Sequence, residues 1–429
     1  MTIQNDIVIV GSGAAGLFCA LCLPPDKQIL IVTKKEAEQS DSFLAQGGIC
    51  VLKSEADYDS YFEDTMRAGH YENRKESVAE MLHSSPAIIR DLVHYGVDFE
   101  QKNGSFVYTR EGGHSDNRIL FHKDVTGKEI TSKLLARVRE RKNITIAEHT
   151  TMLDIIETDK QCHGIIVQDC NGTIRPISAQ YTVFACGGVG GLYTHSTNYP
   201  HITGDAIAIA LAHDIRLEHI NYVQIHPTTL YSETPGRRFL ISESVRGEGA
   251  ILLDKNGNRF VDELLPRDRL TEAVRTQMKK DGTNYVMLSM APIPEKTIRS
   301  HFPNIYRRCL EEGYDCTKEP IPVVPAQHYF MGGIWVNQNS HTSMERLYAI
   351  GETSCNGVHG RNRLASNSLL ESLVFAKKAA NDIASKQTTE QTPDDNNEPI
   401  DLTKYNDIPS FVHTQHQQVL QEISRERTK

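Results

Sequence analysis

The stretch Asp6–Gly16, "DIVIVGSGAAG", decides the fold of this chain. Its first five residues form a short apolar run of the kind found in buried parallel strands, and a helical pattern follows the glycines. Gly11, Gly13 and Gly16 match G-x-G-x-x-G, whose glycines allow a tight turn, close approach of a pyrophosphate and helix–strand packing. Between a strand and a helix, the motif favours a dinucleotide site over a purely structural turn.

The second apolar run, "QILIV" at residues 28–32, is not followed by the acidic residue that usually ends such a strand in NAD-binding folds. Thr33 and Lys34 stand at that position, and Glu36 comes slightly later. The sequence therefore favours a tightly held dinucleotide over freely diffusing NAD, with the adenosine ribose bound by other groups.

Composition limits the classes of partner. The chain has 429 residues, 39% of them hydrophobic, which is enough for a large core and suggests two or three domains. The formal charge of −9 and the pI near 6.1 argue against nucleic acid or an anionic membrane as the main partner. No window approaches about 18 uninterrupted apolar residues, so no membrane-spanning segment is expected.

We expect a cytoplasmic location. The amino end, "MTIQNDIVIVGSG", runs straight into a strand without a cationic flank or cleavage site, which argues against a signal peptide. The nine cysteines are an odd number, scattered and without the spacing of a metal site, which fits a reducing compartment.

Three helical patterns follow the second strand, near residues 57–68, 75–95 and 127–141. The β-rich runs between residues 144 and 185 predict an antiparallel insertion that ends in another apolar strand. Thr203 is expected to cap the helix of "TGDAIAIALAHD".

Residues 220–329 are typical of a separate unit. They contain a hairpin with Asn256-Gly257 at its turn, and then a helix to about Lys280. Residues 386–401 are polar and contain proline, which predicts a linker, and one short helical pattern follows them.

Residues 359–372, "HGRNRLASNSLLES", predict an anion site. Arg361 and Arg363 stand just before a helix, and Ser368 with Glu371 has the Ser-x-x-Glu spacing of a capping box. A helix start carries unpaired N–H groups and a partial positive charge, so it favours a bound anion. From these residues alone, a solvated loop with an ordinary serine cap is an equally open alternative.

Glycine-containing turns also suggest a cofactor site. Gln46, Gly47 and Gly48 would let the backbone approach the edge of a flat ring, although a β-bulge is the alternative. "FACGG" at residues 184–188 and "YAIGE" at residues 348–352 each end an apolar strand in such a turn. Because ligands lie at the strand ends of doubly wound sheets, we expect these turns to gather around one cofactor.

Polar side chains beside glycine or proline turns form a candidate catalytic set, since site residues commonly lie on such loops. The set comprises Glu111, His114, Gln224, His226, Thr228, Ser242, Glu243, Arg246, Arg267 and His328. For each histidine the alternative is a hydrogen-bonded structural position, and for Arg267 it is a salt bridge with Asp268.

Seven motifs occur in the order typical of the fumarate reductase and succinate dehydrogenase flavoprotein family, which the chain resembles over about residues 5–380. The motifs are "GSGAAG", "AQGG", "REGGHS", "TGDA", "HPT", "RGEG…PRD" and "HGRNRLASNSLLE". The resemblance implies an α/β fold, with a Rossmann-type FAD-binding domain, an inserted α+β capping domain and a short helical carboxyl-terminal tail. The implied boundaries are 1–219 and 330–385 for the two parts of the FAD-binding domain, 220–329 for the capping domain, and 386–429 for a linker and truncated helical segment.

The resemblance also assigns site residues by position. Non-covalent FAD would be bound by Ser12, Gly13, Ala14, Ala15, Lys34, Asp41, Ser42, Phe43, Leu44, Ala45, Gln46, Gly47, Gly48, Asp205, Glu352, Ser368 and Leu369. The dicarboxylate substrate would be bound by Gln224, His226, Ser242, Arg267, His328, Arg363 and Ser366. The implied catalytic residues are Arg267, Glu111, His226 and His328.

The two arginines have different implied roles. Arg363 suits substrate binding because a guanidinium pairs bidentately with a carboxylate. Arg267 holds the position that the family uses as proton donor or acceptor. Since an arginine normally stays protonated, that role requires an unusual site or a relay through acidic neighbours.

Glu111 implies the substrate. In the dicarboxylate reductases of the family the matching segment lacks a carboxylate, whereas in the aspartate-oxidising members an acidic side chain faces the substrate ammonium. The implied reaction is hydride transfer from Cα of L-aspartate to N5 of FAD, giving iminoaspartate, with reoxidation by O2, which gives H2O2, or by fumarate. This would be the first step of de novo NAD biosynthesis via quinolinate, with quinolinate synthase as a candidate functional partner. A fumarate reductase or succinate-oxidising flavoprotein is the alternative.

The sequence departs from the family in two places. The membrane-bound relatives attach FAD covalently to a histidine five residues before the Gln of "AQGG", and here that position is Asp41, so non-covalent FAD is expected. Many aspartate-oxidising members have a longer helical carboxyl-terminal domain, whereas this chain stops at Lys429 after a linker and one short helix. The contacts and regulation that the family places there are therefore not carried over.

Overall fold

Eighteen strands and twelve α-helices form in the residues that this computed structural model describes, 5–234, 236–386 and 400–427. The strands are β1 (Asn5–Val10), β2 (Ile29–Val32), β3 (Ile49–Cys50), β4 (Gln101–Lys102), β5 (Ser105–Phe106), β6 (Ile119–Leu120), β7 (Ile144–Ala147), β8 (Thr151–Thr158), β9 (Gln161–Gln168), β10 (Ile174–Phe184), β11 (Leu217–Glu218), β12 (Val223–Leu230), β13 (Ile251–Leu253), β14 (Val286–Ser289), β15 (Ile321–Phe330), β16 (Gly333–Trp335), β17 (Leu347–Ala349) and β18 (Ser354–Cys355). The helices are α1 (Ala14–Cys22), α2 (Asp41–Leu44), α3 (Tyr58–Ala68), α4 (Lys75–His94), α5 (Thr126–Glu140), α6 (Asp205–Ala212), α7 (Glu243–Gly247), α8 (Arg267–Asp281), α9 (Glu295–His301), α10 (Pro303–Glu311), α11 (Asn367–Ser385) and α12 (Ile408–Arg427). None of the helices in the described ranges combines the length and the apolarity that crossing a membrane requires.

The central sheet has seven strands in the order β7-β2-β1-β10-β9-β8, and β17 pairs with β10 as well. The first two strands pair in parallel, with Ile7 opposite Ile29 and Val10 opposite Val32, so the predicted parallel pair is confirmed. Alternate residues of β1 enter different cores: Ile7 packs on the side of α1, α5 and α11, and Val8 on the side of α6. Because both faces are covered, the strand is continuously apolar from Ile7 to Val10 instead of alternating with polar residues.

The antiparallel part of this sheet consists of β8, β9 and the first half of β10. From Ala179 to Phe184, β10 pairs in parallel with β1 instead, so one long strand joins the two parts. The predicted insertion is confirmed for these strands but wrong for its first one. Residues 144–147 form β7, which pairs in parallel with β2, because this strand returns to the sheet after the crossover helix α5.

Helix α1 is buried along nearly its whole length between the sheet and helices α5 and α11. A side chain at Gly16 would not fit, since its Cβ would lie 2.1 Å from the carbonyl oxygen of Gly11. The third glycine of the motif therefore allows the first turn of α1 to pack directly on the end of β1.

A second, antiparallel sheet lies within residues 223–330, in the order β12-β15-β14-β13. Together with α8, α9 and α10 it encloses its own hydrophobic core. The turn at Asn256-Gly257 is present, with φ +82° at Gly257. The second arm of that hairpin contributes one bridge, Leu253 to Arg259, and β13 pairs mainly with β14.

Thr203 does not cap helix α6, which corrects the sequence-based expectation. The helix begins at Asp205, and Gly204 precedes it in the left-handed conformation. The Thr203 hydroxyl donates to Asp205 Oδ1 at 2.7 Å and accepts a hydrogen bond from Lys34 Nζ at 3.0 Å. The side chain is therefore engaged by a lysine from a distant strand end instead of by the first N–H groups of the helix.

The carboxyl-terminal segment is more extensive than the sequence suggested. Residues 387–399 of the predicted linker lie outside the described residues, and the expected short helix spans twenty residues as α12. Val419 and Ile423 of this helix are buried against α6. Just before it, Tyr405 donates a hydrogen bond to Asp154 at 2.9 Å, and Lys404 forms a salt bridge with the same carboxylate at 2.5 Å. The tail is thus anchored on the central sheet.

Asp154 is the centre of this anchor. His213 lies 2.7 Å from it and 2.7 Å from Glu157. Although burial raises the pKa of Asp154, hydrogen bonds from His213 and Lys404 hold it at about 2. The hydrogen bond to Asp154 raises the pKa of His213, against the opposing effect of burial.

We expect Asp154→Asn to lower the free energy of unfolding by about 1–3 kcal/mol, because it removes the charge that binds two cationic groups. The contribution of the Asp154 carboxylate to the free energy of unfolding should be largest between about pH 4 and pH 6.5. It is lost as the pH falls through the lowered pKa of Asp154, and also as the pH rises through the raised pKa of His213. Urea denaturation across this pH range measures the loss of stability and its pH dependence. Asp159→Asn, in the exposed turn of the same hairpin, is the control. Equal pH profiles of stability for wild type and Asp154→Asn would contradict the role assigned to Asp154.

Candidate active site

A large cavity, partly open to solvent, lies between the parallel strand ends and the second sheet. Its wall includes the turns that follow β10 and β17, so the two glycine turns expected to gather around a cofactor line the same space. The sequence-predicted site residues in the wall are Ser12, Gly13, Ala15, Lys34, Asp41, Ser42, Leu44, Ala45, Gln46, Gly47, Gly48, Glu111, Asp205, His226, Ser242, Glu243, Arg267, His328, Glu352, Arg363, Ser366, Ser368 and Leu369.

Three residues that the resemblance assigns to cofactor or substrate binding, Ala14, Phe43 and Gln224, lie behind the wall. The side chains of Ala14 and Phe43 pack into the hydrophobic core around α1. Gln224 is buried behind Arg267, where its Oε1 accepts a hydrogen bond from the guanidinium at 2.8 Å. Its Nε2 donates to Asn362 Oδ1 at 3.0 Å, so Gln224 joins Arg267 to the loop before α11.

The nucleotide end of the cavity depends on a close backbone approach. Gly11 has φ +119°, and a Cβ there would lie 2.0 Å from the carbonyl oxygen of Ala185. Nearby, Lys34 Nζ forms a salt bridge with Asp205 Oδ2 at 2.5 Å and donates to the carbonyl oxygen of His201 at 3.0 Å. This end therefore offers a helix start, glycine backbone and a lysine held in place, which suits a phosphate-bearing ligand.

The middle of the cavity fits a dinucleotide with a flat ring. In the described residues, Asp41 Oδ2 and Gln46 Oε1 are buried without a hydrogen-bond partner. At Gly47, a Cβ would lie 2.9 Å from Glu111 Oε1, so a larger residue would collide with that carboxylate. The glycine leaves its backbone bare at the wall of the cavity. Unpartnered buried acceptors beside bare backbone are expected of groups that bind a polar ring edge. These residues fit FAD.

Two carboxyl groups in this region have perturbed pKa values. Burial, with a further contribution from Asp41, raises the pKa of Glu352 to about 8. Burial likewise raises the pKa of Asp41 to about 7, although the backbone N–H of Tyr199 and the charge of Arg237 oppose it. Glu352 also accepts a hydrogen bond from the N–H of Phe330 at 2.9 Å.

The capping box predicted for Ser368 and Glu371 is wrong. Helix α11 begins at Asn367, Ser366 before it is left-handed, and Ser368 accepts a hydrogen bond from Arg363 at 3.2 Å. Glu371 is buried and hydrogen-bonds the side-chain amide of Asn356. Both side chains that the spacing assigned to the helix start are thus hydrogen-bonded to residues of the preceding segment, Ser368 to Arg363 and Glu371 to Asn356.

Arg363 lies in the wall with its charge partly unmatched. Its guanidinium stacks 4.4 Å from the ring centre of Tyr329, and its Nε has no hydrogen-bond partner within the described ranges. Burial and the nearby Arg267 lower the pKa of Arg363 to about 10. Two guanidiniums that face one space favour an anionic ligand between them.

Two histidines stand opposite these arginines. Their rings make an edge contact with centroids 5.2 Å apart, and His328 Nδ1 lies 2.7 Å from the Thr197 hydroxyl. Burial and the charge of Arg267 lower the pKa of both His226 and His328 well below the usual value, so both are neutral near pH 7. His226 Nδ1 lies 3.2 Å from the backbone nitrogen of Thr228 and 3.1 Å from its carbonyl oxygen, and Nε2 has no partner in the part of the chain described.

Arg267 is paired with Glu243 instead of with Asp268. Its Nε donates to Glu243 Oε2 at 2.7 Å, and Arg246 lies 3.6 Å from the same oxygen. Although burial raises it, the pKa of Glu243 is held below its usual value by Arg267 and Arg246. Asp268 contacts His70 at 3.0 Å. The structural alternative, a salt bridge between Arg267 and Asp268, is therefore wrong, and Arg267 pairs with Glu243 beside the cavity.

Glu111 is 4% exposed and faces the same end of the cavity. Ser244 donates to Oε1 and Ser366 donates to Oε2, each at 2.6 Å. Burial and the neighbouring Glu243 raise the pKa of Glu111, and the two hydroxyls oppose this. His114 from the same motif points elsewhere, into a buried cluster with Arg118, and takes no place in the wall.

Sequence reasoning missed several residues that shape this end of the cavity. Tyr329 supports Arg363, Thr197 orients His328, and Ser244 binds Glu111. Tyr329 and Ser244 are neighbours of predicted site residues along the chain, so their positions offered a weak signal. Thr197 lies outside the recognised motifs, and only the folded chain brings it next to His328.

The fold and the cavity define an FAD-binding flavoprotein: residues 6–369 match a family model described as "FAD binding domain". The "L-aspartate oxidase" of Clostridium perfringens is 48% identical over 93% of this chain and 91% of its own length, and that of Pseudomonas aeruginosa is 41% identical over 89% and 74%. The chain belongs to the L-aspartate oxidase family of FAD-binding proteins.

Solved structures show the same architecture. E. coli quinol fumarate reductase matches with a TM-score of 0.83 and 29% identity, over 97% of this chain and 74% of that chain. A quinol-fumarate reductase with menaquinol molecules matches with a TM-score of 0.86 and 30% identity, over 98% and 75%. The Rossmann-type α/β fold that the family resemblance implies is thereby confirmed.

We expect Gly11→Ala to yield protein that does not retain flavin, because the new methyl group would lie inside contact distance of the Ala185 carbonyl. Gly249→Ala is the matched control, since Gly249 has φ +117° and open space around its Cβ position. The same backbone strain without the collision should leave flavin retention close to wild type. Absorbance of bound flavin per protein after gel filtration decides this, and equal flavin loss in both variants would contradict the steric argument.

Proposed function

We propose that this chain oxidises L-aspartate to iminoaspartate with non-covalently bound FAD. The observation that carries the proposal is the charge arrangement at one end of the cavity. Arg363 and Arg267 supply positive charge for two carboxylates, and the buried carboxylate of Glu111 supplies negative charge for an ammonium group. Sequence identity of 48% to an L-aspartate oxidase supports the same substrate.

The side chains around the substrate bind and orient it in this proposal. Arg363 pairs with one carboxylate, while the N–H of His226 and the ring of His328 hydrogen-bond the other as neutral donors. Ser242 adds a hydroxyl from the start of α7. FAD, when bound, supplies a two-electron acceptor that takes a hydride from the substrate Cα. Because the two histidines are neutral, they contribute hydrogen bonds and leave the positive charge at this end of the cavity to the arginines.

Proton movement falls to Arg267. Oxidation of the amine to an imine releases a proton from the substrate nitrogen. Because Arg267 is itself protonated, it can accept that proton only if it gives one of its own to a neighbouring group. Arg267 donates to Glu243 at 2.7 Å, and Arg246 lies beyond Glu243 at 3.6 Å. In the proposed mechanism Arg267 exchanges protons with Glu243 and thereby connects the substrate to this relay.

The remaining parts of the proposal concern partners and location. O2, with H2O2 as its product, and fumarate are the proposed electron acceptors, and fumarate suits a site built for a four-carbon dicarboxylate. The reaction would be the first step of NAD biosynthesis via quinolinate, with quinolinate synthase as a candidate functional partner. We propose that the protein is located in the cytoplasm, because a reducing compartment suits the free thiols of all nine cysteines.

Anaerobic mixing of the flavin-loaded protein with L-aspartate is expected to bleach the flavin absorbance, whereas succinate at the same concentration should bleach it slowly or not at all. The physical reason is that succinate leaves the buried Glu111 carboxylate without an ammonium partner. Admission of air should restore the colour and release H2O2. Bleaching by succinate alone would instead identify a succinate-oxidising or fumarate-reducing flavoprotein.

Glu111→Gln should lower kcat/KM for L-aspartate by roughly a hundredfold, mainly through KM, because the amide carries no charge for the ammonium group. Reduction of fumarate by the chemically reduced protein should change far less, since fumarate has no amine. Stopped-flow measurement of both half-reactions tests this, with flavin content as the check on folding. Unchanged aspartate turnover would remove Glu111 from substrate recognition.

A further inference from the structure

The carboxylate of Glu111 joins three segments of the chain. Ser244 Oγ donates to Oε1 at 2.6 Å from helix α7 of the second unit, and Ser366 Oγ donates to Oε2 at 2.6 Å from the residue before α11. Ser366 also accepts a hydrogen bond from the N–H of Gly48 at 3.2 Å. Both oxygens of Glu111 are thus fixed by short hydrogen bonds from two distant segments of the chain.

Ser244 is itself held in place. Ser242 precedes α7 and its hydroxyl oxygen accepts from the N–H of Ser244 at 3.3 Å. The two serine hydroxyls lie 3.1 Å apart, so the Ser242 hydroxyl can donate to Ser244 while Ser244 donates to Glu111. Such a chain orients the Ser244 hydrogen toward the carboxylate.

The surroundings of Glu111 oppose its ionisation. The side chain is buried, and Glu243 lies close enough that a Cβ at Gly112 would be 2.4 Å from Glu243 Oε1. The other charged or titratable groups that act on Glu111 come from α8, α7 and β3, namely Arg267, Arg246 and Cys50. Burial and Glu243 raise the pKa of Glu111, while the hydroxyls of Ser244 and Ser366 lower it.

We propose that Ser244, together with Ser366, is a positioning residue that keeps Glu111 ionised and aimed at the substrate amine, and so sets the preference for an amino dicarboxylate over a plain one. This inference rests on the proposed function. A hydroxyl that donates to a carboxylate stabilises its charged form, so the loss of one donor leaves the acid protonated to a higher pH. A protonated Glu111 has no negative charge to attract an ammonium group.

The variant Ser244→Ala tests the proposal in the flavin-loaded protein. We expect kcat/KM for L-aspartate to fall roughly tenfold, mainly through KM, since one hydrogen bond to a charged group is lost. The acid limb of the kcat/KM profile should move to higher pH, because the active form of Glu111 is the ionised one and its pKa rises further. Fumarate reduction by the reduced protein should stay within about twofold of wild type, as it needs no amine contact.

Two further variants separate positioning from structure. Ser244→Thr keeps the hydroxyl and should restore KM and the pH profile toward wild type. Ser300→Ala, on an exposed part of α9 in the same unit, removes a comparable hydroxyl away from the cavity and should leave both substrates unaffected. Flavin content and thermal unfolding measured on all variants report any general loss of structure.

The outcomes are distinguishable. If the wild-type protein reduces fumarate but does not oxidise L-aspartate, the proposed function fails and this inference fails with it. If the wild type oxidises L-aspartate and Ser244→Ala keeps the same KM and the same pH profile, only the inference is overturned. Equal losses for aspartate and fumarate, accompanied by loss of flavin, would assign Ser244 a structural role and would also overturn it.

Discussion

The close approach of the backbone at Gly11 to the carbonyl of Ala185 is the constraint on which the rest of the structure depends. It brings the ends of β1 and β10 together at the start of α1, and no side chain fits between them. Because the strands are parallel, their carboxyl ends and that of β17 open into one cavity. A bulkier residue at Gly11 would separate the strand ends and remove the surface on which a dinucleotide rests.

Charge balance sets the other end of the cavity. Glu243 pairs with Arg267 and lies 3.6 Å from Arg246, so one carboxylate faces two guanidiniums, whereas Arg363 forms no salt bridge in the described part of the chain. An unmatched buried cation is costly in free energy unless an anion arrives, so the cavity is already prepared for a carboxylate. Glu111 presents the opposite sign a short distance away, so the site matches a ligand that carries both kinds of charge.

Local patterns predicted elements better than they predicted contacts. The strands around the first glycine motif, the helices near 57–68 and 75–95, and the helix from Arg267 were all recognisable, because periodicity and glycine turns act within a few residues. The caps assigned to Thr203 and Ser368 failed because other groups engage those hydroxyls: Lys34, which the fold brings in from a distant strand, and Arg363, five residues before Ser368. The extent of α12 was missed as well, since its burial depends on α6.

The sequence by itself determined the strand–turn–helix that starts the fold, the order of the motifs and the residue types available for a dicarboxylate site. Those features are local, and each is complete within a short stretch of chain. Only the tertiary structure decided which charges meet: Glu243 pairs with Arg267, and Glu111 lies between Ser244 and Ser366, which are 133 and 255 residues away along the chain. Burial makes such pairings strong and specific, and burial exists only after distant segments have packed together.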